Sequence, residues 1–475
     1  MEWFAAGDYE LAREVLQRGI AVVFVVAFLS TAAQFRVLLG ERGLLPVPAF
    51  IARTTWARAP SLFRFRYSDR LLLVVAVTGT VVALSLVAGL PQAGPPWLPM
   101  LAFLLVWALY QSIVNVGQTF YGFGWETLLL EAGFLAAFLG SREAPPPLPV
   151  MVLFWWLVFR LEFGAGMIKM RGDASWRDLT ALYYHHETQP MPNPLSRSAH
   201  LLPRWFHRFE VLANHVSQLV VPFLLFVPGP VGSIAGLVVV VTQAWLVLTG
   251  NFAWLNVLTM ILGFSAVADP SWFDPGPTAG ASPVWFVVIV LAVSAGLVVL
   301  SWRPLRNLFS RHQLMNASFD PLHLVNAYGA FGSVTTERLE VIVEGTLEPT
   351  ADAGWREYEF RGKPGDPARR PRQFAPYHLR LDWLMWFLAL GRLEHWFLVF
   401  LVRLLEADRA TLRLLRVDPF GGRSPARVRA RLFHYRFATR EERRRTGLWW
   451  IREPLGDLIS PVSLDRLGDG TTRRR

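Results

Sequence analysis

The stretch from residue 159 to residue 194 places ionisable side chains at the end of a long apolar run. Arg160, Glu162 and Lys169 lie in or at the end of that run, and Asp173 follows them. Charged groups at membrane depth are costly, so they are usually paired, extended to the polar boundary, or functional. The chain has only two lysines among its 47 basic residues. A lysine amine in an apolar setting can act as a general base, which is the chemistry that Lys169 could perform.

A structural role is the commoner one for a lysine in this position. The side chain would extend its ammonium group to the polar boundary and pair there with Glu162 or Asp173. The residues therefore leave two interpretations open for Lys169, a base or ligand contact at the membrane surface, and an anchor at the end of a helix.

A second polar set lies in the segment from residue 115 to residue 131. Its members are Asn115, Gln118, Glu126 and Glu131. Two carboxylates on one apolar helix need partners, and Arg160 or Lys169 could supply them. Together with Arg160, Glu162 and Asp173, this set predicts either interhelical ion pairs that fix the packing or the polar wall of a cavity.

The histidines attract a metal-site hypothesis, which the sequence does not favour. The candidates are His185, His186 and Glu187, together with His200, His207 and His215, yet adjacent side chains such as His185 and His186 point apart on regular structure. Histidines hydrogen-bonded to the backbone in loops are the favoured interpretation. The chain has no cysteine and no HExxH pattern, so we expect no metal site. The GxSxG, P-loop and dinucleotide-binding patterns are also absent from the sequence.

These residues belong to a chain that is too apolar for an ordinary soluble protein. It is 53% hydrophobic with a mean hydropathy of +0.33. Runs long enough to cross a membrane lie at 20–38, 71–90, 98–114, 125–140, 150–168, 211–227, 232–249, 250–267 and 284–302. We therefore predict a polytopic α-helical membrane protein with about eight or nine transmembrane helices, of which 125–140 is short and 250–267 could re-enter.

After residue 302 the pattern becomes that of a soluble α+β domain. Segments 341–347, 355–360 and 428–437 predict strands, and segments 378–390 and 394–415 predict helices. We therefore divide the chain into a transmembrane bundle (1–302), a soluble α+β domain (303–468) and a disordered basic tail (469–475). The net charge of +11 favours anionic headgroups or an acidic protein partner, and no nucleic acid is expected beside a bilayer.

Arginine and tryptophan side chains concentrate in the segment from residue 369 to residue 386. Arginine grips carboxylates in a bidentate manner, and exposed tryptophan docks against a partner or a membrane interface. The segment predicts a contact surface for a client protein or the membrane, with ion pairing inside the domain as the alternative. Its members are Arg369, Arg370, Arg372, Arg380, Asp382, Trp383 and Trp386.

Several long segments resemble the lipase maturation factor family. They include GWETLLLEAGFL, FGAGMIKMRGDASWRDLTALYYHHETQPMPNP and KPGDPARRPRQFAPYHLRLDWLMWFLAL, in family order from about residue 110 to residue 440. The resemblance implies an endoplasmic-reticulum membrane protein that helps secreted dimeric lipases, such as lipoprotein lipase, reach their active fold. It implies a chaperone rather than an enzyme, with no cofactor and with the lipid bilayer and a lipase-like client as partners. The arginine-rich, cysteine-free composition looks bacterial, which would place the chain in a bacterial inner membrane instead.

The AGMIK segment also resembles a segment of vitamin K-dependent gamma-carboxylase, in which a lysine starts vitamin K oxidation as a base. Lys169 occupies the matching position. This resemblance implies an alternative function, an integral-membrane enzyme acting on a quinone or a bound lipid. A closed bundle around Lys169 would favour the chaperone, and a cavity that reaches Lys169 would favour the enzyme or a lipid-handling protein.

Overall fold

A computed structural model describes residues 2–273, 280–350, 354–391 and 393–466. The α-helices are α1 (Glu10–Leu39), α2 (Val47–Arg53), α3 (Asp69–Ala88), α4 (Trp97–Val116), α5 (Gly124–Ala136), α6 (Leu148–Arg171), α7 (Ala174–Arg177), α8 (Leu182–Thr188), α9 (Ser196–His200), α10 (Arg204–Leu219), α11 (Val221–Leu224), α12 (Pro230–Thr249), α13 (Leu255–Gly263), α14 (Val284–Leu300), α15 (Trp302–Phe309), α16 (Arg380–Leu390), α17 (His395–Leu405), α18 (Arg409–Leu412) and α19 (Arg440–Thr446). The strands are β1 (Ala317–Ser318), β2 (Asn326–Ala327), β3 (Arg338–Thr346), β4 (Arg356–Glu357), β5 (Arg427–Phe437) and β6 (Trp450–Val462).

Six helical segments in the described ranges are long and apolar enough to cross a membrane. They are Gly7–Leu39, Asp69–Ala88, Trp97–Val116, Leu148–Arg171, Pro230–Thr249 and Val284–Phe309. The polytopic membrane class is therefore confirmed, although the long helices number fewer than the predicted eight or nine.

The other three apolar runs form helices that are short or interrupted. The run at 125–140 gives the 13-residue α5, and the run at 250–267 gives the nine-residue α13. At 1.5 Å per residue, neither helix spans a hydrocarbon core of about 30 Å. The run at 211–227 breaks at Val220, between α10 and α11, because Pro222 in the first turn of α11 lacks the amide proton that a continuing helix needs.

Helix α6 lies inside the bundle, whereas other long helices lie at its periphery. In the most apolar part of α6, 72% of the residues are buried, compared with 22% in Val284–Phe309. Helix α6 packs against α5, α10, α13 and α14. Its central place explains why the polar side chains of its second half meet partners from several other helices.

The C-terminal domain is built on a four-stranded antiparallel sheet. The strand order is β4-β3-β5-β6, and β1 and β2 form a separate two-stranded ribbon. Strands β3 and β5 match the predicted segments 341–347 and 428–437, whereas β6 has no counterpart among the predicted elements. Helix α16 packs on β3, and α17 packs on β5, so one face of the sheet is covered by helices.

The two parts of the chain are joined more closely than a boundary at residue 302 would indicate. That position lies inside the helical stretch Val284–Phe309, and strand β2 then returns to contact α5 and α6. The predicted tail 469–475 lies outside the described residues. The segment that follows residue 302 is thus packed against the membrane bundle before the sheet begins.

Candidate functional site

The predicted intramembrane polar residues separate into distinct clusters. In the first, Arg160 of α6 forms a buried ion pair with Glu131 of α5. Arg160 also donates to the carbonyl of Asn326 at 2.6 Å, and Tyr328 donates its hydroxyl to Glu131 at 2.7 Å. The opposite charges of Arg160 and Glu131 are paired within the cluster, so it fixes the segment that contains β2 against the bundle.

In the second cluster, Glu126 of α5 pairs with Arg380 of α16. Arg380 Nη1 lies 2.6 Å from Glu126 Oε1, and both side chains are fully buried. Tyr110 donates its hydroxyl to the same carboxylate, and the guanidinium carbon of Arg380 lies 3.4 Å from the centre of the Tyr121 ring. This cluster is a structural link between the bundle and the C-terminal domain.

Three further predicted members lie apart from both clusters. Asn115 Oδ1 accepts a hydrogen bond from His323 Nε2 at 2.7 Å, and Gln118 donates to the carbonyl of Leu45 at 2.9 Å. Asp173 caps the N-terminus of α7 and does not contact Lys169. These side chains hold loops in place at the ends of helices.

Lys169 is buried and is held by amide side chains rather than by a carboxylate. Its Nζ donates to Gln218 Oε1 at 2.8 Å and to Asn214 Oδ1 at 3.3 Å, and it lies 4.7 Å from the centre of the Trp176 ring. Lysine has three donor positions, so two are used by these amides.

Gln218 of α10 connects Lys169 to Glu162, and both of these charged residues are on α6. Gln218 Nε2 donates to Glu162 Oε2 at 3.2 Å, and Gln243 of α12 donates to Glu162 Oε1 at 2.7 Å. The predicted pairing of Lys169 with Glu162 is therefore indirect. The Gln218 side chain accepts a hydrogen bond from the Lys169 ammonium group and donates one to the Glu162 carboxylate. Both charged groups are therefore hydrogen-bonded without touching each other.

This network faces a cavity of about 400 Å³, which we call the Lys169 cavity. The volume lies in the range of sites that hold a small molecule or part of a lipid. Apolar side chains dominate its wall, including Leu161, Leu182, Phe206, Phe209, Leu246, Phe252, Leu255 and Phe331. Lys169, Glu162, Gln218 and Gln243 form a polar wall with which a headgroup could hydrogen-bond.

A group of three side chains from α8 and α10 borders the same cavity. The ligand atoms of His186, His207 and Glu210 all lie within 4.8 Å of one another. The indole of Trp245 donates to Glu210 Oε1 at 2.6 Å. The sequence spacing predicted no metal site, and it did not include Glu210 among the candidate ligands that the fold brings together.

The structure places the predicted contact segment partly on the surface and partly inside. Arg370 and Arg372 are exposed, and Arg369 and Trp386 are half-buried. Arg380, Asp382 and Trp383 are each 3% exposed or less, because the first turn of α16 faces the bundle and β3. Arg370 and Arg372 are therefore open to a client protein, whereas the Arg380, Asp382 and Trp383 side chains make contacts inside the protein.

Several residues of the site were missed from the sequence. Asn214 and Gln218 lie on one face of α10, and Gln243 interrupts the apolar run of α12. An amide inside a long apolar run was the available signal for Gln218 and Gln243. His207 and Glu210 also share a face of α10 because they are three positions apart, which was the signal for the third group.

Comparison with known proteins gives matches along nearly the whole chain. The family model described as "Lipase maturation factor transmembrane domain" matches residues 11–273, and "Lipase maturation factor C-terminal domain" matches residues 324–460. Lipase maturation factor 1 of Homo sapiens is 40% identical over 97% of this chain and 89% of its own length. The Bos taurus protein of that name is 40% identical over 99% and 92%, and Lipase maturation factor 2 of Homo sapiens is 28% identical over 97% and 83%. No solved structure matches the chain. Nothing in these comparisons supports the resemblance to gamma-carboxylase.

Proposed function

The chain belongs to the lipase maturation factor family, and from this premise we propose that it is an integral-membrane factor that helps a lipase reach its active fold. The observation that carries the proposal is the extent of the match, since both the membrane domain and the C-terminal domain are present in family order. The mechanism that we propose is chaperone-like, with the C-terminal sheet as the client-binding part and the bundle as its anchor.

The exposed edge of the sheet supports this mechanism. In the described part of the chain, β6 pairs with β5 on one side and forms the edge of the sheet on the other. Much of β6 is exposed, including Leu455 at 56%. A strand edge of this kind can add an extended segment of another protein through backbone hydrogen bonds. The proposed occupant is an extended segment of the incompletely folded lipase.

Exposed arginine near the start of β6 adds a charged part to that surface. The guanidinium of Arg370 lies 5.4 Å from the centre of the Trp449 ring, and Trp449 directly precedes β6. Arg370 and Arg372 would attract carboxylates on the client. The buried pair of Glu126 and Arg380 would keep the sheet fixed to the bundle while a client is bound.

The Lys169 cavity favours a second candidate function. Its apolar wall and its polar end would suit a lipid or a quinone, with Lys169 contacting an oxygen of the headgroup. If a proton transfer occurs there, Lys169 is the side chain placed to act as base, and the protein would be an integral-membrane enzyme.

The lipase proposal is tested in cultured cells that lack their own lipase maturation factor 1. Lipoprotein lipase serves as the probe client, and the readout is secreted lipase activity divided by the amount of secreted lipase. Expression of this chain is expected to raise that ratio several-fold over an empty vector. A ratio equal to that of the vector would contradict the proposal.

Variants of the same chain separate the two candidate functions. Leu455→Lys with Leu458→Lys is expected to reduce the ratio, because lysines on an edge strand oppose strand addition. Leu347→Lys is the matched control, because Leu347 is 37% exposed and lies outside β6. This variant should retain the ratio. A chaperone should tolerate Lys169→Ala if the variant folds, whereas an enzyme should lose activity with that change and tolerate the β6 changes.

A further inference from the structure

The three side chains beside the Lys169 cavity have the composition and placement of a metal site. His186 comes from α8, while His207 and Glu210 come from one face of α10. Glu210 Oε2 lies 3.1 Å from His207 Nδ1, and Glu210 Oε1 lies 3.6 Å from His186 Nε2. Ligand atoms about 2.0–2.1 Å from a tetrahedral zinc ion lie about 3.3 Å from one another, which is close to these two separations. The ligand atoms of all three residues lie within 4.8 Å of one another, so a bound ion would draw them closer together.

His186 lacks the hydrogen bonds that a buried imidazole normally has. It is 1% exposed, and neither ring nitrogen has a hydrogen-bond partner among the described residues. The 3.6 Å separation from Glu210 is beyond hydrogen-bonding distance. A buried polar atom without a hydrogen bond is unfavourable. The missing partner at His186 Nε2, the nitrogen that faces Glu210, therefore points to a bound group.

The contacts of His207 indicate which nitrogen would face that group. Its Nε2 lies 3.3 Å from the carbonyl oxygen of His200, which can only accept, so Nε2 carries the proton. In the neutral ring, Nδ1 then presents a lone pair to the Glu210 carboxylate. Two acceptors 3.1 Å apart require a proton or a cation between them.

The surrounding contacts are those that orient metal ligands. A backbone carbonyl fixes the tautomer of His207, and the Trp245 indole donates to Glu210 Oε1 at 2.6 Å. Two imidazoles and a carboxylate form a common ligand set for zinc, with a fourth position left for water or another ligand. His186 and Glu210 line the Lys169 cavity, so that fourth position would be open to it.

We propose that His186, His207 and Glu210 form a binding site for a divalent transition-metal ion, zinc above all, that opens onto the Lys169 cavity. The inference goes beyond the lipase proposal and does not depend on it. Bound zinc would tie α8 to α10 and would supply a ligand position for an oxygen atom of a molecule in the cavity.

The test is zinc binding by the purified full-length chain in detergent micelles, isolated through a tag that contains no histidine. After treatment with EDTA, zinc chloride is titrated against a competing chromophoric chelator, and bound zinc is counted by mass spectrometry. We expect one zinc ion per chain. Glu210→Gln and His207→Gln should each weaken zinc binding by at least about 10-fold, because changing even a residue that only orients a metal ligand lowers metal affinity about 10- to 100-fold.

His215→Gln is the matched control, because His215 is also on α10 but lies outside the group. It should leave zinc affinity unchanged. Because a ligand variant could fail to fold, X-ray absorption of the unmodified zinc-loaded chain provides a second measurement, and two imidazole ligands are expected. No zinc above the buffer blank, an affinity that Glu210→Gln and His207→Gln do not change, or a spectrum without imidazole would each overturn the proposal.

Discussion

Replacing Arg380 by methionine is expected to loosen the C-terminal domain from the membrane bundle. Arg380 Nη1 lies 2.6 Å from Glu126 Oε1, and neither side chain is exposed. Methionine retains much of the side-chain volume but leaves a buried carboxylate without its cationic partner. Removing one member of a buried ion pair costs about 3–5 kcal/mol. For a domain of this size, that loss lowers the Tm by roughly 10 °C.

A double-mutant cycle isolates the contribution of the pair. The Tm of Arg380→Met, Glu126→Gln and the double variant is followed in detergent through tryptophan fluorescence. The double variant buries no lone charge at these positions, so its loss should fall short of the sum of the single losses by at least about 1 kcal/mol. Arg372→Met makes the same chemical change at an exposed arginine and should shift stability by no more than about 0.5 kcal/mol.

Two results would refute this reasoning. One is an Arg380→Met protein that melts within about 2 °C of the parent, since that would show that the buried carboxylate is neutralised or hydrated at little cost. The other is additive losses in the cycle, which would show that Glu126 and Arg380 act independently despite their contact.

Three further changes test other parts of the structure through the free energy of unfolding. Gly164→Ala should lower the free energy of unfolding by about 1–3 kcal/mol, because a Cβ there would lie 2.5 Å from the carbonyl oxygen of Tyr328. Gly296→Ala, which has open space around it, is the control and should not lower the free energy of unfolding. Equal effects of the two changes would contradict the packing. Burial lowers the pKa of His378 to about 4, so between pH 6.5 and 4 the unfolded chain binds a proton that the folded chain does not. Stability should therefore fall by about 2 kcal/mol from pH 7 to pH 5 through this group, and His378→Gln should remove that part of the fall; an unchanged pH dependence would refute the assignment. Lys169→Met should cost about 1–3 kcal/mol, because Gln218 Oε1 and the half-buried Asn214 Oδ1 each lose the hydrogen bond from the ammonium group. An unchanged Tm would contradict this expectation.

Hydropathy predicted the class of the protein better than the number of its membrane helices. A window of apolar residues does not show where a helix must stop, as at the break between α10 and α11 that precedes Pro222. In the C-terminal domain, alternation identified β3 and β5. Strand β6 was missed because its sequence, which contains Pro454 and Gly456, lacks alternation, and its pairing with β5 defines it instead.

The sequence identified the costly side chains of the site but not their partners. It correctly required partners for Glu126 and Glu131, yet the partner of Glu126 lies 254 residues away in a segment predicted to face a client. For Lys169 the sequence offered carboxylates, and the structure supplies amides from α10. Tertiary contacts of this kind depend on how helices cross, which local spacing does not encode.

The pairing of Glu126 with Arg380 also has a consequence for the order of synthesis. A chain made at about 5–20 residues per second would complete Arg380 roughly 13–50 s after Glu126, given the 254 residues between them. Throughout that interval the carboxylate must be sheltered by Tyr110 or by outside factors. A copy that ends before Arg380 never gains the partner. The membrane bundle therefore reaches its full set of charge partners only after the C-terminal domain has begun to emerge.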